Sequence, residues 1–313
     1  MKLPDHIPVS RAALVEIARR QHVASAGPFV SLLENGIFNA HYSLGSDLVL
    51  RVPRNHPEHF AALRREAIAV PAARNAGVKV PELVAIDDSC ELLPCPFAVY
   101  RRVNGQTLES LEFPPALAAD VWRELGRDLH RTHAIDPDES NRSLPPPGPL
   151  PDPREMVEAY ASSGWFTRTE AGWLLAWLSR LASLALQPAR SRFVHGDTQG
   201  SNVMVCPGPL QYVALMDWGS AAWGAQVDDF AVVPLSAVPF MLEGYREVAQ
   251  IDEDPNSEAR IVRRHLQLGL VTLPRGRLPG LAWAERPLGM LVDTLAFFAG
   301  QPPGPWLGLG PRS

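Results

Sequence analysis

Residues 193–205 of the chain read FVHGDTQGSNVMV, a polar loop between two short apolar runs. The runs are rich in valine, so we expect two strands joined by this loop. The loop presents the carboxylate of Asp197 and, five positions later, the carboxamide of Asn202. A further apolar run, residues 212–216 (YVALM), ends at Asp217. Three oxygen-bearing side chains are therefore expected at the ends of adjacent strands.

This arrangement of side chains suits phosphoryl transfer. The reaction needs a carboxylate that orients and deprotonates a hydroxyl, and hard oxygen ligands for Mg²⁺. In protein kinases these parts are an Asp in the catalytic loop, an Asn five residues later and a metal-binding Asp further on. Asp197, Asn202 and Asp217 have that order and spacing.

The same block resembles the aminoglycoside phosphotransferase and choline kinase-like family of small-molecule kinases. Its hallmark is matched by His195-Gly196-Asp197, Asn202, Asp217-Trp218, Gly224 and Asp229-Phe230-Ala231. The resemblance covers roughly residues 30–235. It implies an α+β, two-lobed, protein-kinase-like fold with a small β-rich N-lobe and a larger, mainly helical C-lobe.

The resemblance also implies a role for each matched residue. Asp197 would be the catalytic base, and Asn202 and Asp217 would bind Mg²⁺. His195 would brace the loop, and Asp229 would anchor it through hydrogen bonds. The alternative is that Asp197 and Asn202 are ordinary turn residues, which such positions favour.

In the first lobe the resemblance points to a phosphate-covering loop at Gly36 and Asn39. Arg51 aligns with the strand cation that reaches the nucleotide phosphates, where protein kinases have Lys. Glu66, on the next helix, would hold Arg51 in place. Each has a simpler interpretation: a lone glycine is often only a turn, and Arg51 and Glu66 could be solvated surface charges.

The connection between the lobes is expected at residues 96–105. By the resemblance, backbone groups of Arg101 and Val103 would hydrogen-bond the nucleotide base. His130 and His133, on a predicted helix further along, are interpreted as packing or surface residues, because no metal-ligand set accompanies them.

Elsewhere, hydrophobic periodicity predicts the remaining elements. Proline-rich residues 145–153 favour an extended connector without helix or strand. We predict an N-terminal nucleotide-binding lobe over residues 1–102 and a C-terminal catalytic and substrate-binding lobe over residues 103–313. Strands are predicted at 29–33, 38–44, 47–52, 83–87 and 97–102, and helices at 10–20, 60–75, 116–133, 154–162 and 169–186.

Composition excludes several classes of function. The 313 residues carry a formal net charge of −5, which gives no electrostatic reason to bind nucleic acid. No apolar segment is long enough to span a membrane, and no secretion signal is recognised. The three cysteines, Cys90, Cys95 and Cys206, form no disulfide framework and are expected to be idle thiols in a cytoplasmic protein.

The leading hypothesis is a kinase that uses Mg²⁺ and transfers the γ-phosphate of ATP or GTP to the hydroxyl of a small molecule. Aminoglycosides and macrolides are the family's well-known acceptors, and choline, homoserine or fructosamine-type metabolites are alternatives. A catalytically silent nucleotide-binding module and a metal-dependent hydrolase are two further alternatives. The acidic residues 252–254 and Glu258 could attract a cationic acceptor, but a solvated loop is the more common use of such a run.

Overall fold

The first part of the chain forms one antiparallel sheet. A computed structural model describes residues 3–22, 34–35, 38–185, 189–206, 208–248, 256–276, 283–302 and 304–312. The sheet has the order β1-β2-β3-β5-β4. Its strands are β1 (Glu34–Asn35), β2 (Asn39–Leu44), β3 (Leu48–Pro53), β4 (Leu83–Asp87) and β5 (Phe97–Arg101).

A tight turn at Gly45 joins β2 to β3. Gly45 has a φ of +66°, in the left-handed region that glycine adopts without steric cost. The resulting register places His41 opposite Arg51 on the neighbouring strand. The strands predicted at 38–44 and 47–52 are found within one residue of those bounds, whereas the strand predicted at 29–33 and Gly36 lie outside the described residues.

Two helices accompany the sheet, α1 (Arg11–Arg20) and α2 (Pro57–Asn75). The Ser10 hydroxyl caps α1, and Ile17 of that helix is buried among the sheet residues Leu50 and Val99. Helix α2 begins three residues before the predicted start. Its first residue is Pro57, and proline suits a helix start because its fixed φ is helical and the first turn needs no N–H donor.

The rest of the chain is mainly helical, with short strands. The strands β7 and β10 form a two-stranded sheet, and β6, β8 and β9 form a three-stranded one. The strands are β6 (Gln106–Thr107), β7 (Ser191–Val194), β8 (Val203–Cys206), β9 (Gln211–Leu215) and β10 (Ala222–Ala225). The helices are α3 (Ala119–His133), α4 (Pro153–Ser162), α5 (Arg168–Leu184), α6 (Val238–Glu247), α7 (Ser257–Thr272) and α8 (Gly289–Ala299).

Helices α3 and α6 approach so closely that their backbones touch. A Cβ on Gly126 of α3 would lie 2.0 Å from the Met241 carbonyl oxygen, and one on Gly244 of α6 would lie 2.0 Å from that of Arg123. Only glycine leaves room for this packing. The buried face of α3, with Leu125 and Leu129, therefore lies deep in the large apolar core of the helical part.

Helix α2 contributes to both halves of the molecule. Leu63 packs against the sheet residues Ala98 and Tyr100, while Ala69 and Val70 belong to the core of the helical part. A lobe boundary at residues 102–103 therefore stays a prediction. In the part of the chain that the structure describes, no helix is both long and apolar enough to cross a membrane.

Candidate active site

The polar loop of residues 195–202 joins β7 to β8, as its sequence predicts. Its fold is held by the side chain of Asn202, whose Nδ2 donates to the backbone oxygen of Asp197 at 2.8 Å and to its Oδ2 at 2.9 Å. Gln199 Nε2 also donates to that Oδ2, at 3.2 Å. Among the described residues no donor reaches Asn202 Oδ1, so this oxygen remains available to a ligand.

His195 links the loop to the end of β9. Its Nε2 donates to the backbone oxygen of Met216 at 2.9 Å, and its Nδ1 accepts the amide N–H of Asp197 at 3.1 Å. The ring stands edge-on to Trp218, with centroids 4.5 Å apart. Burial lowers the pKa of His195, so the neutral ring that these two hydrogen bonds require is favoured. His195 thus ties the loop to the residue that follows β9.

Asp229 holds the first two residues of the loop through hydrogen bonds. Its carboxylate accepts the amide N–H groups of His195 at 2.9 Å and of Gly196 at 2.6 Å. His133 Nε2 lies 2.9 Å from the same carboxylate, and Thr198 donates its hydroxyl to the Asp229 backbone oxygen. Burial alone would raise the pKa of Asp229, but the hydrogen bond from His133 and the nearby imidazoles outweigh it and lower this pKa.

Asp217 follows β9 in a conformation that side chains rarely adopt. Its φ is +58°, in the left-handed region. Arg51 Nη2 donates to its Oδ1 at 2.8 Å. Although partial burial works in the opposite direction, the charge of Arg51 holds the pKa of Asp217 well below its usual range. Asp217 is therefore ionised under all ordinary conditions.

Arg51 bridges two carboxylates and is itself buried. Besides Asp217 it contacts Glu66, which is 1% exposed and also accepts the hydroxyl of Tyr100. Burial raises the pKa of Glu66 to about 7, although Arg51 opposes the shift. The predicted partnership of Arg51 and Glu66 is present in the structure, and Asp217 joins it.

Part of this network lines a cleft of about 590 Å³, whereas Asp197, His195 and Asp229 are not among its lining residues. Its lining includes six of the predicted site residues: Arg51, Glu66, Arg101, Val103, Asn202 and Asp217. Asn39 is buried within β2 and is not part of this lining, and Gly36 lies outside the described residues.

The two residues expected to contact a nucleotide base differ in what they offer. The amide N–H of Arg101 donates to the backbone oxygen of Glu82 at 2.9 Å, and its guanidinium pairs with the Glu82 carboxylate at 2.8 Å. Among the described residues no hydrogen bond is made by the backbone N–H or C=O of Val103. Of these two residues, Val103 is therefore the one whose backbone groups remain available to a ligand.

Three residues that sequence reasoning missed belong to the site. Buried His133 pins Asp229 and also contacts the Tyr245 hydroxyl at 3.0 Å, so the interpretation as mere packing was incomplete. Tyr100 holds Glu66, and His41 lines the cleft opposite Arg51. The strand alternation could have shown that His41 and Arg51 share a face, but no pattern in one sequence pairs His133 with a residue 96 positions away.

The sequence matches the phosphotransferase enzyme family over residues 30–257, most of the chain. The chain belongs to this family. A curated relative, mouse "Acyl-CoA dehydrogenase family member 10", is 25% identical over 189 residues, which cover 58% of this chain and 17% of that protein. The chain thus spans only a small part of that relative's length.

Solved structures show that this family member has the two-lobed, protein-kinase-like fold. Aminoglycoside 2'-phosphotransferase-IIIa in its GDP complex superimposes with a TM-score of 0.65 at 19% identity, covering 92% of this chain and all of that one. A macrolide 2'-phosphotransferase from Brachybacterium faecium gives 0.58 at 19%, covering 84% and 92%. A choline/ethanolamine kinase family protein from Mesorhizobium loti gives 0.57 at 17%, covering 95% and 97%. The α+β fold class predicted from the sequence is confirmed.

Proposed function

We propose that this protein is a small-molecule kinase that transfers the γ-phosphate of ATP or GTP to an alcohol hydroxyl. The observation that carries the proposal is that Asp217 and Asn202, which hydrogen-bonds Asp197, line a cleft that also contains the buried Arg51–Glu66 pair. Similar proteins solved with GDP, or with ATP and streptomycin, support a nucleotide donor and a hydroxylated acceptor.

Asp197 is proposed as the catalytic base. The acceptor oxygen forms a bond to the γ-phosphorus, the bond from that phosphorus to the bridging oxygen breaks, and the nucleoside diphosphate leaves. The carboxylate of Asp197 takes the hydroxyl proton. Asn202 and Gln199 both donate to its Oδ2, which orients the carboxylate before the acceptor arrives.

Arg51 is proposed to meet the nucleotide phosphates. Its guanidinium stays protonated, because the carboxylates of Asp217 and Glu66 outweigh the effect of burial and raise its pKa. The backbone of Val103 is proposed to hydrogen-bond the base, with Arg101 beside it at the edge of the cleft. Placing Gly36 and Asn39 over the phosphates remains part of the proposal that the family resemblance supports.

Asn202 and Asp217 are proposed to hold Mg²⁺. The available amide oxygen of Asn202 and the ionised carboxylate of Asp217 both line the cleft, and both are the hard donors that Mg²⁺ prefers. In the described part of the chain no group of three His, Cys, Asp or Glu side chains could hold a metal. Mg²⁺ commonly takes one or two protein ligands and completes its shell with water and phosphate oxygens. When bound, it neutralises charge that develops on the transferred phosphoryl group.

The proposal is tested by following nucleoside diphosphate release with Mg²⁺, ATP or GTP and a panel of hydroxylated acceptors. Asp197→Asn should abolish transfer while nucleotide binding survives, and Asp138→Asn, on an exposed loop, is the control that should keep full activity. Turnover retained in Asp197→Asn removes that residue from the role of base. Nucleotide binding without turnover on any acceptor would instead favour a catalytically silent module.

A further inference from the structure

A second cavity, of about 380 Å³, reaches the loop of residues 195–202 at Gly196. It shares no lining residue with the nucleotide cleft, yet both reach the same two segments. Gly196, next to Asp197 in the chain, lines the second cavity, whereas Asn202 lines the cleft. Ser220 lines the second cavity, whereas Asp217 lines the cleft. An acceptor in this cavity would therefore lie beside the two segments that carry Asp197 and Asp217, although Asp197 itself is among the lining residues of neither cavity.

Most of the residues that line this cavity are apolar. The proline-rich segment closes one side, and small or aliphatic side chains from β10 and α7 close others. Its charged groups are few. The apolar lining residues are Pro145, Pro146, Pro147, Leu150, Val194, Ala221, Ala222, Val232 and Leu268.

Three charged side chains reach this cavity, and two of them neutralise each other. Arg264 and Asp228 form an ion pair at 2.6 Å, with both side chains mostly buried. Burial raises the pKa of Asp228 although Arg264 opposes the shift, so this carboxylate already depends on its partner. It is not free to receive a cationic acceptor.

Arg65 is the third charge, and its terminal nitrogens have no partner among the described residues. Its Nε donates to the backbone oxygen of Gly219 at 2.6 Å, which fixes the guanidinium at the edge of the cavity. In the same part of the chain no carboxylate lies within 4.0 Å of it. Partial burial lowers the pKa of Arg65, but the ordinary value is so high that the group stays charged.

We propose that Arg65 selects an acceptor that combines an alcohol with one anionic group, a carboxylate or a phosphate, on an apolar skeleton. This inference rests on the proposed function and names the substrate class of that site. The two free amino groups of a guanidinium match the paired oxygens of such an anion. Among the described lining residues, a polyamine acceptor would meet the charge of Arg65 and one carboxylate, Asp228, that already pairs with Arg264. The other acidic group considered for cation binding, Glu258, is already paired with Arg246, and residues 252–254 lie outside the described residues.

The experiment compares hydroxyalkanes of equal chain length that end in a carboxylate, a phosphate monoester, a neutral amide or an ammonium group. Equilibrium binding is measured for each in the presence of a non-hydrolysable nucleotide, and turnover is measured with ATP or GTP. Arg65→Gln should raise the dissociation constant of the anionic compounds roughly 10- to 100-fold, the value of a hydrogen bond to a charged group. It should change the affinity for the neutral compound much less than the affinity for the anions. Nucleotide affinity is measured in parallel, because the hydrogen bond to Gly219, two residues after Asp217, is lost as well. Arg64→Gln, next to it in α2 but exposed and paired with Asp88, is the matched control.

A second variant tests the charge of the cavity without touching Arg65. Gly148 lines the cavity and has open space around its missing Cβ, so Gly148→Asp adds a carboxylate without a clash. We expect it to weaken anion binding and to strengthen ammonium binding relative to Gly148→Asn. Arg65→Lys should retain part of the anion preference if charge is the cause.

The outcomes separate the two proposals. Selective binding of an anionic compound without any turnover overturns the kinase proposal and leaves the role of Arg65 intact. Preference for the ammonium compound, or an equal effect of Arg65→Gln on all four compounds, overturns the role of Arg65. The ratio of carboxylate to phosphate affinity identifies which anion the cavity takes.

Discussion

Asp229→Ala should destabilise this protein more than almost any other single carboxylate replacement, although Asp229 is not proposed to touch substrate. Its side chain is fully buried and receives three groups: the amide N–H of His195, the amide N–H of Gly196 and the imidazole Nε2 of His133. Alanine leaves all three without a partner. The loop of residues 195–202 then loses the acceptor that fixes its first two residues, directly before Asp197.

The size of the effect follows from the number of orphaned groups. Each buried donor left without a partner lowers the free energy of unfolding by about 1–3 kcal/mol, so three of them lower it by roughly 3–9 kcal/mol. A water molecule that enters the space left by the carboxylate would bring the loss towards the lower end of this range. Asp229→Asn keeps one oxygen acceptor and should lose roughly half as much. The pKa of Asp229 is lowered in the fold, so this stabilisation is present at neutral pH and is lost as the pH falls below about 4.

Guanidinium-induced unfolding followed by circular dichroism measures these losses, and nucleoside diphosphate release measures the consequence for transfer. Asp138→Asn is the matched control, because Asp138 also accepts backbone N–H groups, those of Ser140 and Asn141, but is exposed to water. It should leave the midpoint of unfolding nearly unchanged. The reasoning is refuted if Asp229→Ala and Asp138→Asn shift the midpoint equally, or if Asp229→Ala retains normal turnover.

Three further predictions concern buried charge and close packing. Glu66→Ala should raise the KM for nucleotide, measured by nucleoside diphosphate release, because Arg51 loses one of its two carboxylate partners, while Glu58→Ala at an exposed position of α2 should leave the KM unchanged. Burial raises the pKa of Asp293 to about 6, so the cost of keeping its carboxylate ionised in the fold grows as the pH rises. Asp293→Asn should therefore raise the free energy of unfolding by up to about 3 kcal/mol near pH 8 and hardly at all near pH 4. Unfolding measured over this pH range would show the difference. Gly196→Ala should lower the thermal midpoint more than Gly164→Ala: both have positive φ, but only at Gly196 does a new Cβ meet a backbone oxygen, at 2.5 Å.

The elements that a single sequence predicted well are those with local causes. The hairpin of β2 and β3 follows from alternating residues and a glycine turn, and the proline-rich segment 145–153 has neither helix nor strand before α4 starts at Pro153. Proline also explains why the helix predicted at 116–133 begins later. Its first turn is a short 3₁₀ helix at Pro115–Ala118, and α3 starts at Ala119.

The candidate site was predictable where its parts are close in sequence. Asp197 and Asn202 are five residues apart, and the hydrogen bond between them follows from the loop they share. Contacts between segments that are distant in the sequence were harder to predict. The Arg51–Glu66 pair was expected through the family resemblance, but the contact of Arg51 with Asp217 bridges 166 positions and depends on how the lobes are packed.

Residue type and local spacing were enough to predict the family, the order of the secondary structure and which side chains carry the proposed chemistry. The three-dimensional packing was needed to establish which charges are already neutralised. Arg264 and Arg65 look alike in the sequence, yet the first is paired with Asp228 at 2.6 Å and the second faces a cavity with its terminal nitrogens open. The charge that a cavity accepts in a ligand depends on the distances in space between its charged groups, and these distances do not follow from separation along the chain.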